Sequence, residues 1–182
     1  MQEFNEYLLI QKSKKGDRQA FGELVLNYAD YLYSVVIRIV NNESEAEDIA
    51  QESFIKAWQC INTFNIQRAK FSTWLFTIAT RKAIDVMRRN QRELKTDLDE
   101  MIIDDMDLEQ HLSNKEIVKL INHATNDLSE KQKVVLVLRD FEDLSVEEVV
   151  EITGYTEKQI KDNLYVARKK VRKKLEKHVK VR

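Results

Sequence analysis

The sequence has no proline, three glycines and one cysteine, Cys60. Because proline removes a backbone donor and breaks helices, its absence allows long helices. A lone cysteine excludes an internal disulfide, and His111, His123 and His178 are too scattered to indicate a metal site. These absences favour a helical protein and argue against zinc or redox chemistry.

Long hydrophobic runs are also missing. The longest, Val134 to Leu138, is far too short to cross a bilayer, and the acidic, polar start lacks the basic and apolar regions of a signal peptide. Glycine occurs only at Gly16, Gly22 and Gly154, so no phosphate-binding Gly-Lys-Ser/Thr loop is present. We therefore expect a cytoplasmic protein with no membrane insertion and no nucleotide site.

The net charge of -1 hides an asymmetry along the chain. Residues 1–92 carry 13 basic and 11 acidic side chains, residues 93–117 carry 2 and 9, and residues 118–182 carry 15 and 11. Basic segments on either side of an acidic connector suit a polyanion bound at two surfaces. A solvated face explains a charge run equally well, so the motifs must decide.

Three helices are predicted in the N-terminal part. The first follows Asp17, a plausible N-cap, and apolar residues recur at helical spacing for about six turns. A second helix begins at Ser44, which can form a capping box with Glu47, and a third begins at Ser72. Short links between these helices predict a compact bundle.

Residues 93–112 are rich in acids and show no sustained helical stripe. We interpret them as a linker that, fully extended at ~3.3–3.6 Å per residue, could span roughly 65–70 Å, about two turns of duplex DNA. A calcium loop is disfavoured, because the acids lack the regular ligand spacing and the glycine. The predicted organisation is a module at residues 1–92, the linker, and a second module at residues 113–182.

The C-terminal module contains four successive capping boxes. They pair Ser113 with Glu116, Ser129 with Gln132, Ser145 with Glu148, and Thr156 with Gln159. A short helix from Val146 to about Thr153 meets Gly154 and then a new helix, which is typical of a helix-turn-helix. The outer side of this last helix can enter a major groove. Its outer residues are Lys158, Lys161, Asp162, Tyr165, Lys169 and Arg172.

The end of the chain is strongly basic. Residues 164–182 hold nine basic side chains against one acid, Glu176. Neutralising phosphates is the usual use of such a cluster. The helix dipole favours cations near a helix C-terminus, which explains some of these basic side chains but not all nine.

The second predicted helix carries a mixed stripe. Asp48, Gln51 and Glu52 project from one side, with Ile55 one turn beyond. The helix dipole stabilises carboxylates near a helix N-terminus, so the acids alone do not indicate a binding partner. A face that only contacts solvent would not require an exposed apolar side chain such as Ile55. The stripe is therefore a candidate binding surface.

The third predicted helix and the loop before it suit single-stranded DNA, since cations hold a backbone while bases stack or are extruded. The helix contributes Arg81, Lys82, Arg88, Arg89 and Arg92, and the polar loop contributes Asn62, Phe64, Arg68 and Lys70. For Phe64, a place in the core is favoured over contact with a base.

These motifs resemble two regions of the extracytoplasmic-function (ECF) subfamily of bacterial RNA polymerase sigma factors. Region two is matched by Gly16-Asp17, Ala20-Phe21, Leu24, Ala46 through Phe54, Trp58, Phe71 through Leu75, Ala83-Ile84-Asp85 and Arg88-Arg89. Region four is matched by Leu128 through Gln132, Leu138 through Ser145 and Ala167 through Lys170. The resemblance implies an all-α fold and a subunit that directs transcription initiation, with no catalysis, cofactor, metal or small-molecule substrate.

The resemblance also implies partners and contact residues. Asp48, Gln51, Glu52 and Ile55 would dock on the clamp coiled coil of core polymerase, and the loop and third helix would bind the promoter minus-ten element. The last helix would enter the minus-thirty-five major groove while resting on the polymerase flap. Its implied contacts are Lys158, Lys161, Asp162, Tyr165, Arg168, Lys169 and Arg172. An anti-sigma factor, often membrane-anchored in relatives, is a further candidate partner.

The chain departs from the usual family pattern in the helix-turn-helix. It has Val150 where many relatives have alanine, and Lys161-Asp162-Asn163 where many have Lys-Ser-Arg. Because a cation is lost and Asp162 is gained, the family's base contacts do not transfer to this chain, although Asp162 can accept from a cytosine amino group.

Other functions remain open from the residues alone. A polymerase-independent regulator would protect a palindrome by itself. A metal-dependent hydrolase would use the linker carboxylates. An adaptor would bind through its acidic linker and survive loss of the basic tail.

Overall fold

The computed structural model describes residues 5–96 and 124–179, and every regular element within these ranges is helical. The predicted all-α class is confirmed. The α-helices are α1 Glu6–Lys14, α2 Arg18–Val40, α3 Glu43–Cys60, α4 Phe71–Thr96, α5 Glu130–Leu136, α6 Val146–Thr153 and α7 Glu157–Val179. A 3-10 turn at Ile61–Thr63 follows α3, and a π-helical segment at Val137–Phe141 follows α5.

The start of α3 corrects one prediction. The N-cap is Asn42, whose side chain accepts from the Glu45 amide at 3.0 Å, so the helix begins before Ser44. Asn41 ends α2 in the left-handed region, which asparagine tolerates, and turns the chain at once into α3. The acceptor on Asn42 therefore lies at the turn itself, two residues before the predicted cap.

Other caps agree with the sequence. The Asp17 carboxylate accepts from the amides of Gln19 and Ala20 and starts α2. In the C-terminal module, reciprocal capping bonds begin α5, α6 and α7. The predicted pair of Ser113 and Glu116 lies outside the described residues.

The N-terminal module is built from α1 to α4, with α2, α3 and α4 packed on one another and α1 against α2. Large aromatic rings fill its centre. Phe64 meets Phe71 edge-on at 5.6 Å between centroids and lies 5.1 Å from Trp74. Burying each such ring contributes roughly 1.5–3 kcal/mol, so this cluster is a main source of the module's stability.

The C-terminal module has an aliphatic core. Val134, Val135 and Leu138 are fully buried, and Ile152 and Ile160 are buried on either side of the helix-turn-helix. Gly154 ends α6 with a φ of 71°. An L side chain there would be strained, whereas glycine accepts the left-handed turn between α6 and α7.

The two modules pack directly against each other. Helix α4 lies against α6, and α2 lies against the π-helical segment. Helix α4 runs to Thr96, four residues into the segment predicted as a linker, because Glu93, Leu94 and Lys95 favour helix. The remainder of the predicted linker lies outside the described residues.

Candidate interfaces for polymerase and DNA

The mixed stripe on α3 faces outward. Asp48, Gln51, Glu52 and Ile55 are all exposed, and Ile55 keeps 57% of its surface accessible. The opposite side of α3 supplies Ala46, Ile49, Ala50, Phe54 and Ala57 to the core. The helix is thereby fixed by its buried side, and the predicted stripe is left accessible.

Beside this stripe lies an open depression of about 400 Å³ between α3 and α4. Ile55 and Ile78 provide apolar surface, while Glu52, Lys82 and Asp85 surround it with charge. Glu52 and Lys82 form an ion pair across the two helices. An apolar floor with a charged rim suits the face of an amphipathic helical partner.

The loop before α4 divides into exposed and buried residues. Asn62, Arg68 and Lys70 are exposed, whereas Phe64 is 2% exposed among the rings of the core. Lys14 of α1 donates to the Phe64 carbonyl at 2.5 Å and holds the loop in place. Phe64 therefore occupies the core position that the sequence favoured, and no face of its ring is open to a base.

The predicted cations on α4 differ in their surroundings. Arg81, Arg88 and Arg89 are exposed, and Lys82 is half-buried beside Glu52. The Arg88 guanidinium donates two bonds, both 3.0 Å, to the carboxylate of Glu130 in α5. This hydrogen bonding raises the pKa of Arg88 above its usual value.

The outer face of α7 matches the predicted recognition face. The exposed residues are Lys158, Lys161, Asp162, Tyr165, Lys169 and Arg172. Ile160, Leu164 and Ala167 point the other way and are buried. Lys161 lies 3.3 Å from Glu157 one turn earlier, an exposed pair of small energetic value. Val166, also exposed, was not predicted.

Arg168 is exposed but is paired with a carboxylate of the same chain. It donates to both oxygens of Asp140, at 2.8 and 2.6 Å, and this bonding raises its pKa. The pair ties α7 to the π-helical segment. Nothing in the sequence indicated this contact, because the two residues are 28 positions apart.

Some lysines of the basic tail also contact other parts of the C-terminal module. Lys170 donates to the Asp127 carbonyl and to the Gln132 side chain, both at 3.0 Å. Lys174 lies 2.8 Å from the Asp127 carboxylate. The charge of α7 is thus divided between an outward face and a row that fastens the helix to the start of α5.

Lys133 is the most deeply buried cation of the described residues, with 5% of its surface exposed. Burial lowers the pKa of its ammonium group from 10.5 to about 8. Removing a charged group from water disfavours the charged form, so the charged Lys133 side chain lowers the stability of the C-terminal module.

Neither residues 5–96 nor residues 124–179 bring together three potential metal ligands of the His, Cys, Asp or Glu type. Most of the acidic segment considered as a metal loop falls between these ranges. No helix of the described chain is long and apolar enough to span a membrane.

Comparison with known proteins agrees with the two-module organisation. The family model of sigma-70 region 2 matches residues 24–93, and that of sigma-70, region 4, matches residues 118–171. The chain is 34% identical over 177 residues to the ECF RNA polymerase sigma factor SigW of Bacillus subtilis. This alignment covers 91% of this chain and 94% of that protein.

Two solved structures share the fold. CnrH, in complex with the cytosolic domain of CnrY, aligns with a TM-score of 0.69 at 21% identity over 94% of this chain and 97% of its own. The sigma factor RpoE of Bartonella quintana, in complex with the anti-sigma factor NepR, aligns with a TM-score of 0.67 at 24% identity over 86% and 96%. With two sigma-70 regions in the same order and a relative that spans nearly its whole length, this chain belongs to the ECF subfamily of RNA polymerase sigma factors, which direct transcription initiation.

Proposed function

We propose that the chain acts as a non-enzymatic, cytoplasmic specificity subunit in which residues 1–92 bind core polymerase and the minus-ten element, residues 93–112 link the modules, and residues 113–182 bind the minus-thirty-five element. The observation that carries this division is the exposure of two chemically different faces, one on α3 and one on α7.

The α3 stripe is the polymerase-docking surface in this proposal. Ile55 supplies an exposed apolar anchor, and Asp48, Gln51 and Glu52 supply polar contacts around it. Apolar anchors within a polar rim carry most of the binding energy at protein interfaces. The docking partner is the clamp coiled coil of core polymerase.

The minus-ten surface combines the loop before α4 with the cations of that helix. Asn62, Arg68 and Lys70 are exposed on the loop, and Arg81, Lys82, Arg88 and Arg89 lie along α4. Cations arranged along a helix hold a single strand by its phosphates. Phe64 contributes by supporting the loop from the core.

The minus-thirty-five surface is the outer face of α7. Lys158, Lys161, Lys169 and Arg172 provide phosphate or guanine contacts, while Tyr165 offers an apolar contact to thymine methyl groups. Arg168, predicted as a contact, instead positions α7 through Asp140 in this conformation. The module rests on the polymerase flap.

A protein regulator of the anti-sigma type is a further proposed partner. RpoE of Bartonella quintana is in complex with the anti-sigma factor NepR, and that protein shares the fold of this chain. Coimmunoprecipitation from the native bacterium under non-inducing conditions tests for such a partner.

Transcription with purified bacterial core polymerase and genomic DNA fragments tests the main proposal. Wild type is expected to start transcripts at discrete sites. Asp48→Ala/Gln51→Ala should abolish them by weakening docking, and Lys161→Ala/Lys169→Ala by weakening minus-thirty-five binding. Glu23→Ala/Asn27→Ala, on the exposed face of α2, removes one acid and one amide as the docking variant does, and this matched control should retain the transcripts.

The opposite outcome is equally clear. If core polymerase gains no initiation while the protein alone protects a palindrome, the chain is an ordinary helix-turn-helix regulator. A third result, turnover of a substrate that is lost on chelation, would favour a metal-dependent hydrolase.

A further inference from the structure

The loop before α4 follows a path that its own hydrogen bonds define. The Phe64 amide donates to the Ile61 carbonyl at 3.1 Å. The Asn65 side chain then accepts from the Gln67 amide at 2.9 Å, and the Asn65 carbonyl accepts from the Arg68 amide at 3.0 Å. Asparagine favours turns through such bonds to the backbone two residues on. The loop is therefore a series of turns in which the exposed Arg68 has a defined position.

A further bond reaches this loop from a distant part of the chain. Lys14, in the last turn of α1, donates from its ammonium group to the Phe64 carbonyl at 2.5 Å, and the two residues are 50 positions apart. The same ammonium group lies 5.9 Å from the centre of the Phe64 ring. A hydrogen bond from a charged donor is roughly twice as strong as a neutral one. Lys14 therefore fixes both the backbone and the ring of the residue at which the polar part of the loop begins.

Helix α1 is itself fixed to the aromatic core. Ile10 is fully buried, and α1 packs against α2. At the first residue of α1, the Glu6 carboxylate accepts a hydrogen bond from the Tyr28 hydroxyl. The Tyr28 ring lies 5.3 Å from the Phe71 ring, which in turn contacts Phe64. Both ends of α1 are therefore connected to the rings beneath the loop, so its last turn has a fixed position relative to the loop.

We propose that α1 fixes the conformation of this loop and that Lys14 is a positioning residue for recognition of the minus-ten element. With the loop in one conformation, the exposed Asn62, Arg68 and Lys70 are arranged before the strand binds, so less conformational entropy is lost on binding. Lys14 acts through Phe64 and does not touch the DNA. The inference rests on the proposed minus-ten surface.

The loop and the cations of α4 have different roles in this proposal. Cations hold phosphates whatever the sequence, whereas discrimination between bases depends on the geometry of the contacts. A loop that samples several conformations loses this geometry but leaves the cations of α4 in place. Loss of the Lys14 bond should therefore reduce the preference for the minus-ten sequence more than the affinity for single-stranded DNA in general.

The test uses the chain assembled with core polymerase and two fluorescent single-stranded oligonucleotides. One carries the nontemplate minus-ten sequence of a promoter located by transcription initiation, and the other carries the same bases in scrambled order. Lys14→Met keeps an aliphatic side chain and removes the donor. It should bind the minus-ten oligonucleotide about tenfold more weakly, as expected for the loss of one charge-assisted hydrogen bond, and the scrambled one within about twofold of wild type.

Two variants control for the charge and for the donor. Lys15→Met removes the neighbouring exposed cation and should leave both affinities within about twofold, because exposed charges are well screened. Lys14→Arg keeps a charged donor and should restore most of the preference. Equal loss of preference in Lys14→Met and Lys15→Met, or no recovery in Lys14→Arg, overturns the proposal.

Salt dependence separates positioning from direct contact with DNA. A cation that binds a phosphate of a single strand contributes about 0.7 to the slope of log K against log salt. Lys14→Met should leave this slope unchanged. A slope that falls by about 0.7, with both oligonucleotides weakened equally, would make Lys14 a phosphate contact and contradict the positioning role.

Affinity for core polymerase controls for folding. The α3 stripe lies on another helix, so Lys14→Met should bind core polymerase as tightly as wild type. Weaker core binding would mean that Lys14 stabilises the whole module and not the loop, which contradicts the proposal. If wild type prefers the minus-ten oligonucleotide and Lys14→Met keeps that preference, the positioning role is wrong and the proposed function stands. If wild type itself has no preference, the proposed minus-ten surface fails.

Discussion

The two modules are stabilised in different ways. The N-terminal core contains large aromatic rings that are almost fully buried, including Phe64, Phe71 and Phe76. The described part of the C-terminal module has an aliphatic core that also contains Lys133. A small domain buries a smaller fraction of its surface. The C-terminal module must therefore depend more on helix caps and on packing against its neighbour.

Truncating the aromatic cluster should have the largest effect. Phe71 is fully buried and packs on Tyr28, Phe64 and Trp74. Phe71→Ala is expected to lower the free energy of unfolding by about 3–5 kcal/mol, measured by urea denaturation. Tyr7→Ala, at an exposed aromatic position, should change it by less than about 0.5 kcal/mol. Similar losses would mean that the aromatic core does not dominate.

Removing the buried charge should act in the opposite direction. The lowered pKa of Lys133, about 8 against 10.5, corresponds to about 3 kcal/mol of destabilisation when the group is charged. Lys133→Met is expected to raise the free energy of unfolding at pH 7 by up to this amount. A destabilised variant would show that the ammonium group has a stabilising partner.

The same residue gives a pH dependence of known sign. The unfolded chain binds the Lys133 proton more tightly than the folded chain, so the penalty is complete below pH 8. It disappears as the pH rises from 8 through 10.5. The difference in unfolding free energy between Lys133→Met and wild type should therefore shrink over this window in urea titrations. A constant difference contradicts the shift.

A smaller effect is expected on the open face of α7. Asp162 is an exposed acceptor among the cations of the proposed recognition face. Asp162→Ala should relax the preference for cytosine at one minus-thirty-five position by about 1–3 kcal/mol. Selection of promoter sequences with core polymerase measures this preference. A uniform change in affinity across all sequences would assign Asp162 a purely electrostatic role.

The smallest effect compares two neighbouring cap candidates. Asn42→Ala should cost about 1 kcal/mol of unfolding free energy, because it removes the N-cap of α3. Ser44→Ala, at the cap that the sequence predicted, should cost less than about 0.5 kcal/mol. Thermal denaturation of both variants measures the difference, and a reversed order would restore the predicted start.

Local chemistry explains which predictions succeeded. The Asp17 cap, the capping boxes of Ser129 and Ser145, and the turn at Gly154 depend on residues within four positions of one another. The outward face of α7 follows from helical periodicity alone. For these elements, sequence spacing and spatial neighbourhood coincide.

The features that the sequence did not predict depend on distant residues. Arg88 and Glu130 are 42 positions apart, and Arg38 and Glu142 are 104 apart. No local rule pairs them, since the contact exists only after two separately patterned modules have packed. Helix α1 was also not predicted. It is short and is joined to the bundle through the bond from Lys14 to the Phe64 carbonyl.

The lone cysteine lies at a useful place in this architecture. Cys60 is the last residue of α3, directly before the Ile61–Thr63 turn, and its thiol donates to the Lys56 carbonyl at 2.9 Å. Burial raises the pKa of this thiol, so alkylation at neutral pH will be slow. A fluorophore coupled to Cys60 reports on the adjacent loop without the introduction of another cysteine. The chain thus contains a labelling site next to the loop of the proposed minus-ten surface, which can be used to test strand capture in real time.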